Sequence, residues 1–267
     1  MRIRLESNRN RCGVADGVTP MYDCIVVGGG VAGLSAGLYT ARAELDTLVV
    51  SAGESILARN ASLENYPGLP AGFDARRYLS IVRDQAESAG CTVVDDRIER
   101  VAGSVESASG PEVRPFKLAG ADGNYEARRV VAASWPDSEY LTETDVERIQ
   151  RGNKHVVSVD RAGRTTVDGL YAAGRIADTP HQAIVAAGHG ATVGLAVVQD
   201  SDTPFYHDWV APRGYFTGRD RDVPPACDEI EADERLARDE RARRRLAQKL
   251  EEPFADEPTQ HPRVVDE

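Results

Sequence analysis

Asp23 to Val27, DCIVV, is a short apolar run that ends in a glycine turn, and Gly28-x-Gly30-x-x-Gly33 then opens a helical pattern, LSAGLYTARAEL. Thr47 to Ser51, TLVVS, reads as a second buried-type strand, which closes a βαβ unit of about thirty residues. Each glycine in that spacing answers a physical demand. Gly28 permits the tight turn, Gly30 puts no side chain in the way of a pyrophosphate, and Gly33 lets helix and strand pack closely. The helix start at Val31 and Ala32 adds free N–H groups and the positive end of a dipole, both suited to phosphate. Glu54, just past the second strand, lies about where an acid that holds a ribose is expected. The pattern therefore points to a dinucleotide-binding α/β fold with a parallel sheet.

The rest of the chain supports that class. Residues 52–71 carry turn chemistry throughout, including ENYPGLPAG. Asp74 is placed to cap a helix, ARRYLSIVRDQAESAG, that ends at Gly90, and CTVVDD follows as a third parallel strand. From Arg97 to Glu126 short strands alternate with turns, with Asp122-Gly123 as a hairpin turn, so a small antiparallel meander is expected there. VVAA at 130–133 returns to a buried strand. Thr144 and Glu147 have capping-box spacing for a short helix, DVERIQRG. Residues 154–174 give two or three further strands, and His181 to Gln199 a helix rich in Ala and Gly. The expected organisation is a tail at 1–20, a domain at 21–200, an aromatic-rich extension at 201–228, a charged helix at 229–252 and a disordered tail at 253–267. In the charged helix, Glu231/Arg235, Glu234/Arg238, Asp239/Arg243 and Glu240/Arg244 are i,i+4 pairs. Its apolar stripe of Ile230, Leu236, Leu246 and Leu250 is thin, and suits either a solvated helix or one that binds a partner.

Bulk properties narrow the function. A net charge of −11 speaks against a nucleic-acid binder. No window approaches eighteen consecutive apolar residues, so no membrane span is expected, and the N-terminus has no apolar signal region. A cytoplasmic location is the expectation. Only Lys117, Lys154 and Lys249 are lysines among 32 basic residues, against 43 acidic ones. That balance resembles salt-adapted cytoplasmic proteins, and a GC-rich genome would favour arginine as well. The four cysteines, Cys12, Cys24, Cys91 and Cys227, form no C-x-x-C pair. They signal neither a redox dithiol nor a zinc knuckle, and Cys24 and Cys91 fit buried inert thiols.

Several segments together resemble the FAD domain of thioredoxin reductases, in matching order across about residues 21–200. CIVVGGGVAGLSAGLYTARAEL is similar to their FAD-binding opening, including the step from Tyr39 to Arg42. ENYPG at 64–68 is similar to a loop whose Asn would be Asn65. RPFKLAGADGNYEARRVV resembles their antiparallel insert and the strand after it. DGLYAAGRIADTPHQAIVAAGHGATVGLAV resembles their closing FAD motif. The resemblance implies a three-layer, Rossmann-like FAD-binding domain with a parallel sheet and a small antiparallel β-meander, followed here by a C-terminal helical extension. It implies a flavin site of Gly28, Gly30, Val31, Ala32, Gly33, Glu54, Asn65, Ile98, Ala132, Gly174, Arg175, Gln182 and Ala183.

The departures are as informative. In that family the strand resembling 130–133 leads into an inserted NADPH domain that also carries a Cys-x-x-Cys dithiol. Here about thirty-five residues separate Ala133 from Asp168, where a nucleotide-binding domain needs on the order of a hundred. The family's Ala-Thr-Gly turn is Ala132-Ala133-Ser134 before Trp135, its Gly-Gly-Gln loop is Ser55-Ile56-Leu57, and its closing aspartate is Arg175. A carboxylate accepts hydrogen bonds from ribityl hydroxyls, whereas a guanidinium only donates. Three placements of Arg175 stay open: on the flavin pyrophosphate, displaced by Asp178 as the ribityl acceptor, or in solvent.

The expected function is an FAD-binding oxidoreductase-like protein without disulfide reductase activity. No residue stands out as a catalytic acid or base, and His181 fits a cap or a surface residue as well as the flavin edge. An unknown electron donor or redox partner and a homodimer are the partners left open; nucleic acid and membrane are not expected. The alternative is a non-enzymatic flavin- or nucleotide-responsive protein. A single-domain FAD or NAD enzyme of another type, similar to thiazole synthases, is weaker because ENYPG and RPF weigh against it.

Overall fold

The computed structural model describes residues 19–103, 115–253 and 258. Strand β1 (Met21–Val27) lies in the middle of its sheet, and Cys24 to Val27 are buried on both faces. That is why the strand reads as an unbroken apolar run, not an alternation. Parallel neighbours β2 (Thr47–Ser51) and β3 (Thr92–Asp95) extend the sheet on one side. On the other side runs β6 (Asn124–Ala132), parallel to β1. The sequence suggests two strands within 124–133, but β6 is continuous and serves both parts of the fold. Its outer edge pairs antiparallel with β5 (Phe116–Gly120) at residues 124–127 and parallel with β9 (Leu170–Ala172) at residues 130–132. Strand β4 (Ile98–Ala102) completes the meander against β5. The meander is thus built into the seven-stranded main sheet.

Two apolar cores flank this sheet. One lies under the helices α1 (Val31–Arg42), α2 (Ala75–Ser88) and α3 (Ala183–Gln199) and includes Cys24, Val26, Val49, Val131 and Val197. The other includes Ile25, Leu48, Phe116, Leu118, Leu141 and Leu170 on the opposite face. The expected three-layer α/β class is observed. Asp74 caps α2, its carboxylate accepting from the amides of Arg76 and Arg77 at 2.9 Å, and Gly90 takes the left-handed conformation just past the helix end. Burial raises the Cys24 thiol well above its ordinary pKa and pushes Cys91 up to about 12, so both remain neutral packing groups.

The small residues of α3 have a use that periodicity alone does not reveal. A Cβ at Gly194 would lie 2.7 Å from the Ala36 carbonyl oxygen, and one at Gly190 would overlap that of Ala32. These glycines let α3 cross α1 at backbone contact distance. The helix also begins at Ala183 instead of His181.

A second correction concerns residues 145–152. The expected helix is instead a hairpin, β7 (Arg148–Arg151) against β8 (Lys154–Val157), with Ile149 opposite Val156. Gly152, at φ +60°, supplies the turn. Thr144, just past the 3-10 helix Glu139–Leu141, donates its hydroxyl to the Leu141 carbonyl at 2.7 Å, so its capping-box spacing starts no helix. Residues 201–231 form an arm in which β10 (Trp209–Pro212) pairs parallel with β11 (Cys227–Ile230). Asp208 anchors the arm by a two-pronged ion pair to Arg42 at the end of α1. Glu229 accepts from the amides of Gly214, Phe216 and Thr217; these bonds outweigh its desolvation and hold it at about 2. The charged helix, α4 (Ala232–Glu251), follows. Of the two expected tails, residues 1–18 and nearly all of 254–267 lie outside the described residues.

Candidate functional site

Two helix N-termini face one cavity at the C-terminal edge of the sheet. The N-cap of α1 is Gly30, in an extended conformation with no side-chain cap. The N-cap of α3 is Gln182, also without a side-chain cap. The first-turn amides of both helices are left to solvent or a ligand, and anions are favoured at such ends. The cavity between them measures about 440 Å³. That is within the range of small-molecule and cofactor pockets.

Gly28, Gly30, Val31, Ala32, Glu54, Asn65, Ile98, Arg175, Gln182 and Ala183 line this cavity. Residues far apart in sequence meet here: the Asn65 side-chain amide donates to Gln182 Oε1 at 2.8 Å and ties the ENYPG loop to the start of α3. Gly33, Ala132 and Gly174 support the cavity from behind without reaching its lining. Gly33 sits beneath the turn, where a Cβ would overlap the Gly28 carbonyl oxygen. Ala132 is fully buried in β6, and Ala133 and Ser134 take its place at the rim. Gly174, at φ +74°, packs against Ala32, and its amide donates to His189 Nδ1 at 2.9 Å.

That last bond makes a pH-sensitive support. Burial holds His189 below the ordinary histidine pKa. Nδ1 is engaged as an acceptor, so the neutral ring carries its proton on Nε2. A folded pKa below the unfolded one means that the unfolded chain takes up the proton first. Stability is therefore full above the ordinary histidine pKa and declines as pH falls below about 6.5. His189→Gln retains an acceptor that does not titrate and is expected to flatten this decline in a thermal-unfolding series across the histidine range. His181 is also held low, by burial and then by Arg175, so part of the slope remains in the variant. An unchanged slope would remove His189 from the account.

Several lining residues carry no motif. Asp96 is almost wholly buried at the cavity wall. Desolvation would raise its carboxyl, but hydrogen bonds from the Tyr125 hydroxyl and the amides of Asp122, Arg97 and Ala121 outweigh it and hold the group below the usual range. It pins the meander to the parallel sheet. Ser134 and Tyr140 share a 2.8 Å hydrogen bond between hydroxyls. The Arg175 guanidinium lies over the Trp135 ring, 5.0 Å from its centroid. Two of the residues that depart from the resembled family at this rim therefore touch, as a cation on an aromatic face. Arg175 is at the cavity, and the placement in free solvent is set aside. Asp178 turns away to an ion pair with Arg151 at 3.0 Å. Only composition hinted at these groups: a lone Trp beside Pro136, and a doubled Asp at the end of β3. Among the described residues no group of three or more His, Cys, Asp or Glu could hold a metal ion. No helix among them is long and apolar enough to cross a membrane.

Known proteins place this arrangement. A family model described as an FAD binding domain matches residues 23–62. A thioredoxin reductase of Aquifex aeolicus is 40% identical over 80 residues, 29% of this chain and 25% of that protein. One of Rickettsia typhi is 30% identical over 129 residues, 47% of this chain and 39% of that protein. The match thus spans less than two fifths of either relative's length. The structure of a thioredoxin reductase from Gloeobacter violaceus superposes with a TM-score of 0.55 at 19% identity, covering 70% of this chain and 99% of that one. Fold and cavity define a Rossmann-type α/β domain with a site shaped for a dinucleotide, and the match at residues 23–62 indicates FAD. More narrowly, the chain is similar to thioredoxin reductases over part of their length.

The residues present fit FAD. The glycine turn is open where a pyrophosphate must approach: from a Cβ built at Gly30, the nearest atom outside its chain neighbours is Ser55 Oγ at 3.4 Å. Two uncapped helix ends supply amides, and Glu54, three residues past β2, lines the cavity where a ribose would lie.

Proposed function

We propose that this chain is a flavoprotein oxidoreductase whose flavin is reduced from outside the domain, by a diffusing reductant or a redox partner, and not through disulfide reductase chemistry of the thioredoxin reductase type. Bound FAD supplies the redox chemistry, and the protein supplies position and electrostatics. One observation carries the reading. The connection from β6 to β9 is filled by a 3-10 turn and the β7–β8 hairpin, at the place where the resembled family inserts its NADPH domain. The cysteines Cys24 and Cys91 are buried and unpaired. Anaerobic mixing of the flavin-loaded protein with excess NADPH or NADH is the test. Slow bleaching, over minutes or longer, is expected while a chemical reductant bleaches the flavin at once. Bleaching within a second would overturn the reading.

Arg175 would then act on the pyrophosphate. The cavity wall also presents Glu54, Asp96 and Asp137, and Arg97 is the other cation on it. A dianionic pyrophosphate needs compensation there. Arg175→Asp is expected to raise the FAD dissociation constant about tenfold or more by fluorescence titration. Tighter binding would mean that a ribityl acceptor was missing and that Arg175 merely occupied its place. A second reading, a flavin-responsive binding protein without turnover, draws support from that same replacement of an acid by Arg175. It predicts no steady-state oxidation of reductant by oxygen or quinone acceptors.

A further inference from the structure

Helix α4 is mounted on its own domain by its charged face. Arg245 forks onto the Asp84 carboxylate of α2 at 2.5 and 2.8 Å, and Arg77 of α2 donates to the Lys249 carbonyl at 2.5 Å. The apolar residues point away: Leu236, Leu246 and Leu250 are 56%, 48% and 44% exposed. A surface helix ordinarily does the reverse, turning its apolar stripe to the core.

The outward stripe has a regular spacing. Ala232, Leu236, Asp239, Arg243, Leu246 and Leu250 are separated by 4, 3, 4, 3 and 4 residues, and all six are exposed. That is the seam of a two-stranded helical pair. The stripe is also its own mirror image about position 241. When two such helices run antiparallel about a two-fold axis at that position, Leu236 meets Leu246 of the second copy, Ala232 meets Leu250, and Asp239 meets Arg243, each contact occurring twice. A two-fold interface requires this self-complementarity.

We propose that α4 pairs antiparallel with α4 of a second copy of this chain. Charge selects both the occupant and the direction. A parallel, in-register pair would oppose Asp239 to Asp239 and Arg243 to Arg243, whereas the antiparallel pair opposes acid to base. An unrelated partner would need no such symmetry. Ala242 flanks the axis and allows close approach. Glu240, on the other flank, is already neutralised by Arg244 at 2.8 Å. Arg235 approaches Lys249 of the second copy, but that lysine is paired with Glu252 at 3.0 Å. Twenty residues span about 30 Å, or three heptads, so the dimer is expected to be weak and concentration-dependent.

Sedimentation equilibrium of the full chain, from micromolar to near-millimolar concentration, reads this directly and does not depend on redox activity. A monomer–dimer equilibrium is expected. The double variant Leu236→Glu, Leu246→Glu should be monomeric throughout with an unchanged thermal melt, because both side chains are exposed. Asp239→Arg should weaken dimerisation about tenfold, and Asp239→Arg with Arg243→Asp should restore it. Direction is read by disulfide trapping in a Cys12→Ser, Cys227→Ser background. Ala242→Cys should cross-link to itself and Arg235→Cys should not. A monomeric wild type, a dimer that survives the double glutamate variant, or cross-linking of both cysteine variants would overturn the proposal.

Discussion

Gly33→Val is expected to yield little or no folded protein. Any Cβ at this position overlaps the Gly28 carbonyl oxygen and comes within 3.2 Å of the Ala133 side chain. Neither neighbour can move cheaply. Gly28 holds the turn at φ +123°, where its own Cβ would stand 2.6 Å from the Ala133 carbonyl oxygen, and its amide donates to the Val50 carbonyl at 2.8 Å. Helix α1, the turn and the ends of β1, β2 and β6 are locked at this point. Overpacking of flexible side chains costs about 1–3 kcal/mol, and a clash between backbone segments exceeds that. A domain with about 5–15 kcal/mol of stability would lose much of it. Soluble yield and chemical denaturation check this; a variant with wild-type stability would show that helix and strand do not approach as described.

Gly30→Val, three residues earlier, is expected to do the opposite: to spare the fold and abolish the flavin. Gly30 is at φ −79°, open to any L-residue, and its Cβ direction is empty to 3.4 Å. The unloaded variant should melt within about 2 °C of the unloaded wild type. Its side chain would fill the space that the pyrophosphate must enter, so FAD affinity should fall about 100-fold or more. If the variant still binds flavin normally, the pyrophosphate does not lie on this turn.

These two glycines show what the sequence makes legible. Their spacing is local, and each answers a separate geometric need, so the turn and the βαβ unit can be read from a few dozen residues. The Asp74 cap is legible for the same reason. Features that depend on distant partners are not. Thr144 and Glu147 have the same spacing whether they start a helix or flank a hairpin, and the outcome is decided by Gly152 and by Ile149 finding Val156. Gly190 and Gly194 read only as small residues in a helix, because their partner, α1, lies some 150 residues away. The pairing of Arg175 with Trp135 is invisible for the same reason, although each was a visible oddity alone. Ala132 and Gly174 lie one residue from the cavity because the rim begins only where β6 ends, at Ala133, and where the turn after β9 reaches Arg175.

The most direct measurement is the visible spectrum of the purified protein during titration with FAD. Saturable binding of one FAD per chain is predicted, read as a shifted and structured flavin absorption band, with Gly30→Val showing none. A wild-type chain that leaves added FAD free in solution would contradict the account at its centre.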